Sequence, residues 1–112
     1  MINKDYEHIK LMLDFAGRVK RRISEMSVAQ FLENDDLQDM VLYAMGQIGE
    51  NANAVSDTVR NKYHEVLWSP IIGIRNRVFH SYGNIDMSIV YETAVGHIPE
   101  LIKELTKILD EN

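Results

Sequence analysis

From Leu37 to Val59 the apolar residues Leu37, Val41, Ala44, Ile48, Ala52, Val55 and Val59 recur at three- and four-residue intervals. That spacing keeps one helical face apolar over about six turns. Met40, Leu42, Tyr43 and Met45 widen the apolar surface beyond one stripe, which predicts a helix packed on two sides. Tyr6, Ile9, Leu13, Ala16 and Ile23, with Met12 and Val19 beside them, predict another amphipathic helix of about 20 residues. Ser27 followed by Gln30 reads as a capping box opening a short helical turn through Phe31 and Leu32, and Asp35 or Asp36 is expected to cap the next helix. After a loop around Asn61 to Glu65, Ser69-Pro70 reads as a helix start, with serine as the cap and proline where its missing amide hydrogen costs nothing. Ile71, Ile72, Ile74, Val78 and Phe79 supply that helix's packing surface, and Gly83-Asn84 can end it. Asp86 starts a last helix through Ile89, Val90 and Ala94 toward His97. Pro99 must bend or restart it before Leu101, Leu105 and Leu109 continue the stripe. No segment shows sustained strand alternation. The expectation is an all-α fold, an up-and-down bundle of four to five helices joined by short connections.

Gly49 interrupts the propensity of the long helix at about 1 kcal/mol relative to alanine. Close approach by another backbone and a merely tolerated glycine both account for it.

A length of 112 residues with 46% hydrophobic content suits one domain over 1–112. There are no cysteines, which excludes disulfides, thiolate metal sites and cysteine nucleophiles. Lys4, Asp5, Glu7 and Lys10 break any signal-peptide core near the N-terminus. No apolar run approaches the roughly 20 residues of a membrane span. A soluble protein of the cytoplasm is expected, with no membrane partner. The net charge of -5 disfavours indiscriminate binding to nucleic acid. Its distribution matters more. Arg18, Lys20, Arg21 and Arg22 form one basic cluster, Arg60 and Lys62 a second, and Arg75 and Arg77 a third, so a local basic cleft on an acidic body and a solvated face of mixed charge are both open.

Chemistry is concentrated in Arg75-Asn76-Arg77-Val78-Phe79-His80-Ser81-Tyr82. At about 100° per residue, Asn76 and His80 share a helical face, whereas Arg75 lies about 140° round from His80 and Tyr82 about 160°. Either the length of the arginine brings its guanidinium to the histidine's cleft, or the same helix of a second subunit completes the site across a two-fold axis. The second arrangement handles the angular mismatch better. An imidazole can take a proton from a ribose 2′-hydroxyl, and a guanidinium can stabilise the charge that builds on a phosphate under attack. Together they suffice for metal-free RNA cleavage, because the attacking hydroxyl belongs to the substrate; no cofactor is called for. Asn76 is placed to orient the imidazole or hold a phosphate oxygen. Arg75 is also expected to pair with a carboxylate such as Glu50. His8, His64 and His97 have no metal-site spacing and read as surface or core-edge residues.

The Arg-x4-His-x-Tyr arrangement of Arg75, His80 and Tyr82 resembles that of the HEPN superfamily of ribonucleases. Within it the chain looks like the HepT toxins that pair with minimal nucleotidyltransferase (MNT) antitoxins. Ile48-Gly49-Glu50-Asn51-Ala52 resembles the Gly-Glu-containing helix of that family, and Trp68-Ser69-Pro70-Ile71-Ile72-Gly73-Ile74 resembles the segment leading into its arginine. The departures are Asn51 where alanine is frequent and Ile74 where methionine is. The resemblance implies a homodimeric endoribonuclease with Arg75 and His80 as its catalytic pair and Asn76 assisting; Glu50 and Arg77, close to that pair in the sequence pattern, are supporting candidates. It implies RNA as substrate and a nucleotidyltransferase antitoxin as partner, one that transfers AMP to Tyr82 and so silences the toxin. The alternative is a noncatalytic helical dimer that binds nucleotide or the nucleotidyltransferase.

Overall fold

The computed structural model describes residues 3–80 and 84–112. These form seven helices: α1 (Asn3–Ile23), α2 (Val28–Leu32), α3 (Asp35–Ala54), α4 (Asp57–Lys62), α5 (Trp68–His80), α6 (Met87–Gly96) and α7 (Ile98–Asp110). No strand occurs among the described residues. The fold is all-α, and its four legs are α1, α3, α5 and the broken pair α6–α7. The helix count exceeds four to five because α2 and α4 each add one short piece and Pro99, in the first turn of α7, splits the last leg at His97.

The legs alternate in direction. Asp5, His8 and Phe15 of α1 meet Ser56, Asn51 and Tyr43 at and within α3, so the two helices run antiparallel. α5 runs antiparallel to α3 in turn: Gly49 abuts Ile71 and Arg75, while Leu42 and Val78 line one groove. At the far end, Asn112 Nδ2 donates to the Tyr63 hydroxyl, which returns the end of α7 to the level of α4. The core sits between α1, α3 and α7, where Ile9, Met12, Ala16, Val19, Val41, Ala52 and Leu105 are all fully or almost fully buried. α5 packs chiefly on α3.

Helix ends follow local chemistry, with three differences from the sequence expectation. The capping box of Ser27 and Gln30 forms, each side chain accepting from the other's amide. At α3 the cap is Asn34, one residue before the expected aspartates; its Oδ1 accepts from the Leu37 amide at 3.0 Å, and Asp35 and Asp36 fall in the first turn, where acidic side chains oppose the helix dipole. α3 stops at Ala54 rather than Val59. Ser56 caps α4, and the buried Asp5 carboxylate accepts both the Ser56 amide (2.8 Å) and its hydroxyl (2.7 Å). Val55 and Val59 nevertheless stay buried, so the apolar face continues across the break. α5 begins one residue before Ser69. The Ile71 amide bonds the Leu67 carbonyl, and Pro70 falls within the first turn, where an amide lacks an intrahelical acceptor anyway. Asp86 caps α6 through Ser88, as expected. The expected stop at Gly83 lies outside the described residues. No described helix is long and apolar enough to cross a membrane.

Candidate active site

α5 is positioned at its start by Trp68, a buried residue whose indole N–H donates to the Tyr63 carbonyl at 3.0 Å. Its middle is set by Gly49. A Cβ built at that glycine would lie 2.8 Å from the Ile71 carbonyl oxygen and 2.9 Å from the Arg75 Cβ. Glycine here is therefore the condition for close approach of α3 and α5. With the backbones this near, Glu50 on α3 reaches Arg75 on α5: the guanidinium Nε donates to Glu50 Oε2. The pair is partly exposed, with about a third of the Arg75 side chain open to solvent.

Helix α5 is continuous through His80, so the angular relation of Arg75, Asn76 and His80 read from the sequence holds in the fold. Asn76 and His80, one turn apart, are both exposed. Arg75 is half-buried on another side of the same helix, tied down by Glu50. One chain thus presents an exposed imidazole and amide on one face of α5, and a fixed guanidinium on another.

Arg77 goes elsewhere. It is exposed and lines two open grooves on the side of α5 facing α6 and α7. The first, about 370 Å³, includes Leu42, Val78, Ile85 and Val90; the second, about 450 Å³, runs past Ile74, Leu101, His97 and Glu104. Neither is lined by Arg75, Asn76 or His80. Tyr82 lies outside the described residues.

None of the remaining histidines lies on this helix, although His97 shares the second groove with Ile74 and Arg77. His8 Nδ1 lies 2.8 Å from Asn51 Oδ1, which accepts its proton, while the Asn51 amide group donates to the Gln47 carbonyl. His64 and His97 are exposed. Among the described residues no cluster of His, Cys, Asp or Glu has the makings of a metal site. Sequence reading missed the aromatic contact between Phe15 and Tyr43, with Arg18 over the Phe15 ring. Its two rings are 28 positions apart in the chain, and only the antiparallel packing of α1 on α3 joins them.

Residues 12–108 match the family described as Ribonuclease HepT-like. Among similar curated proteins, Putative RNase MJ0125 of Methanocaldococcus jannaschii is 30% identical over 106 residues, covering 95% of this chain and 88% of its own length. Putative RNase TTE0752 of Caldanaerobacter subterraneus subsp. tengcongensis is 29% identical, covering 94% of this chain and 91% of its own. The Probable ribonuclease HepT of Thermococcus cleftensis is 24% identical, with 95% and 94% covered. No solved structure is a significant match.

Proposed function

The chain belongs to the HepT-like ribonuclease family, and from that premise we propose that it is a metal-independent endoribonuclease toxin whose Arg75–His80 site is completed across a homodimer. One observation carries the assignment to residues: α5 exposes Asn76 and His80 on one face, while the hydrogen bond that Arg75 donates to Glu50 holds the guanidinium. In the proposed reaction His80 takes the proton of the ribose 2′-hydroxyl. The 2′-oxygen then attacks the adjacent phosphorus, the bond from phosphorus to the 5′-oxygen breaks, and that oxygen leaves as a 5′-hydroxyl with a proton from water, to which the His80 imidazolium returns its own, opposite a 2′,3′-cyclic phosphate. The Nη groups of Arg75 donate to the phosphoryl oxygens as charge builds on them. Glu50 holds Nε and so fixes the plane of the guanidinium, a positioning role. Asn76 orients the imidazole or a phosphate oxygen.

A second subunit resolves the angular mismatch between Arg75 and His80, because a two-fold axis beside α5 brings one protomer's arginine toward the other's histidine. Regulation in this proposal falls to a nucleotidyltransferase antitoxin that adds AMP to Tyr82; a bulky anionic adduct near the cleft repels an RNA phosphate and occupies its place.

The test is cleavage of RNA in EDTA by the wild type, His80→Ala and Arg75→Ala, with sizing across concentrations alongside. Each substitution is expected to lower the rate at least about 100-fold, and the wild type to run as a dimer. If the wild type cuts no better than either variant, the chain is a noncatalytic binder of nucleotide or of its nucleotidyltransferase, and a monomer at all concentrations sinks the composite site.

A further inference from the structure

Because α5 packs chiefly on α3, the side it turns toward α6 and α7 is left open. The two grooves there are parts of one trough, since Met45, Ile74, Arg77 and Thr93 line both. Its floor is α3, through Met45 and Ile48; its walls are α5, through Ile71 and Ile74, and α7, through Ile98 and Leu101. Leu67, 63% exposed, stands at its mouth. A trough between two helices laid over a third is the seat that a further helix takes in a bundle, with its apolar ridge set between theirs.

Charge makes the two ends of this trough unlike. At the end beside the start of α5, Glu65, Glu100 and Glu104 line it together. Glu104 is half-buried, and burial with those two carboxylate neighbours raises its pKa above the ordinary 4.5. Among the described residues none of the three forms an ion pair. The nearest cations face elsewhere. Lys62 and Lys107 line a separate hollow against Tyr63, where the Lys62 ammonium lies 5.3 Å from the ring centroid. Lys103 falls about 160° round α7 from Leu101, away from the trough. At the other end Arg77 and Asp86 offset one another, and the exposed His97 lies on the wall facing Ile74.

We propose that this trough docks an amphipathic helix of a partner protein, its apolar face between α5 and α7 and its lysines or arginines over Glu100 and Glu104. Helices enter such grooves through apolar anchors one face wide, and unpaired carboxylates at one end select a cationic end and fix direction. A second copy of the chain is a poor occupant: a two-fold contact sets the carboxylates near their own duplicates, and a head-to-tail contact with the basic end of α1 propagates rather than closes. The inference does not rest on the ribonuclease reading, because Arg75, Asn76 and His80 line no part of the trough.

The test is fluorescence anisotropy with a labelled synthetic peptide of about 15 residues, with leucines spaced three and four apart and lysines in its last turn; a matched peptide carries glutamate for lysine. The wild type is expected to bind the lysine peptide saturably, and the glutamate peptide at least about 10-fold more weakly. Leu67→Ala is expected to weaken binding of the lysine peptide about 5-fold. Glu100→Gln/Glu104→Gln is expected to bring the two peptides within about 2-fold of each other, and Glu100→Lys/Glu104→Lys to reverse the preference. Helical circular dichroism confirms that each variant folds. No saturation by the lysine peptide below about 1 mM overturns the proposal, as does equal binding of both peptides by the wild type or an unchanged preference in the two double variants. Loss of self-association on Leu67→Ala overturns it too, since the trough is then a seam between copies.

Discussion

At Gly49 a single methyl group decides whether α3 and α5 can lie where they do. Alanine gains about 1 kcal/mol of helix propensity over glycine. It also places a carbon 2.8 Å from the Ile71 carbonyl oxygen, in contact with backbone that cannot rotate away. Overpacking of this kind costs about 1–3 kcal/mol, so Gly49→Ala is expected to lower the thermal midpoint, contrary to the usual effect of replacing a helical glycine. A midpoint at or above that of the wild type overturns the close-packing account. The sequence left this glycine with two readings, and the choice between them depended on a partner helix that no local pattern reveals. Arg75 was easier to read. Its carboxylate partner, Glu50, follows directly after the same glycine, and the predicted pair forms.

Periodicity located the helical faces but not every place where a helix breaks. Leu37, Val41, Ala44, Ile48, Ala52, Val55 and Val59 are all buried, as their spacing predicts, yet the chain leaves the helix at Val55 and starts again at Asp57. A short break in register keeps the apolar stripe intact and so leaves no mark on it. The break is fixed instead by Asp5, some fifty residues away, whose carboxylate accepts from the amide and hydroxyl of Ser56 while Ser56 Oγ accepts from the Val59 amide. Asp5→Ala is therefore expected to destabilise the protein by about 1–3 kcal/mol, with Asp5→Asn, which keeps one acceptor, costing less; urea unfolding of the three proteins gives the order. Equal stability for all three means that the contact contributes nothing. The capping box at Ser27 was legible because both partners lie three residues apart, and the Asn34 cap was missed by one residue because the adjacent aspartates are equally good cap residues.

For the molecule as a whole, the sequence pattern gave an all-α, up-and-down arrangement, and its connections were short enough to fix alternating directions. What it could not give was the gap between α5 and α7, where apolar side chains meet an acidic rim. There Glu104 sits with Glu100 and Glu65, and burial, reinforced by those two carboxylates, raises its pKa above the ordinary 4.5. The folded state therefore holds the proton more firmly than the unfolded chain, so stability falls as pH rises past the ordinary 4.5. Glu104→Gln carries no such charge. It is expected to gain stability relative to the wild type as pH rises from about 4.5, read as the difference in urea midpoints, and a difference that does not change with pH counts against the assignment. Gly49 also has an evolutionary side. The space it leaves empty is filled by the Ile71 carbonyl and the Cβ of Arg75, so a descendant that acquires a side chain at 49 must first move the helix that carries Arg75. A position that the proposed chemistry does not use is thereby tied to the placement of the helix that carries Arg75.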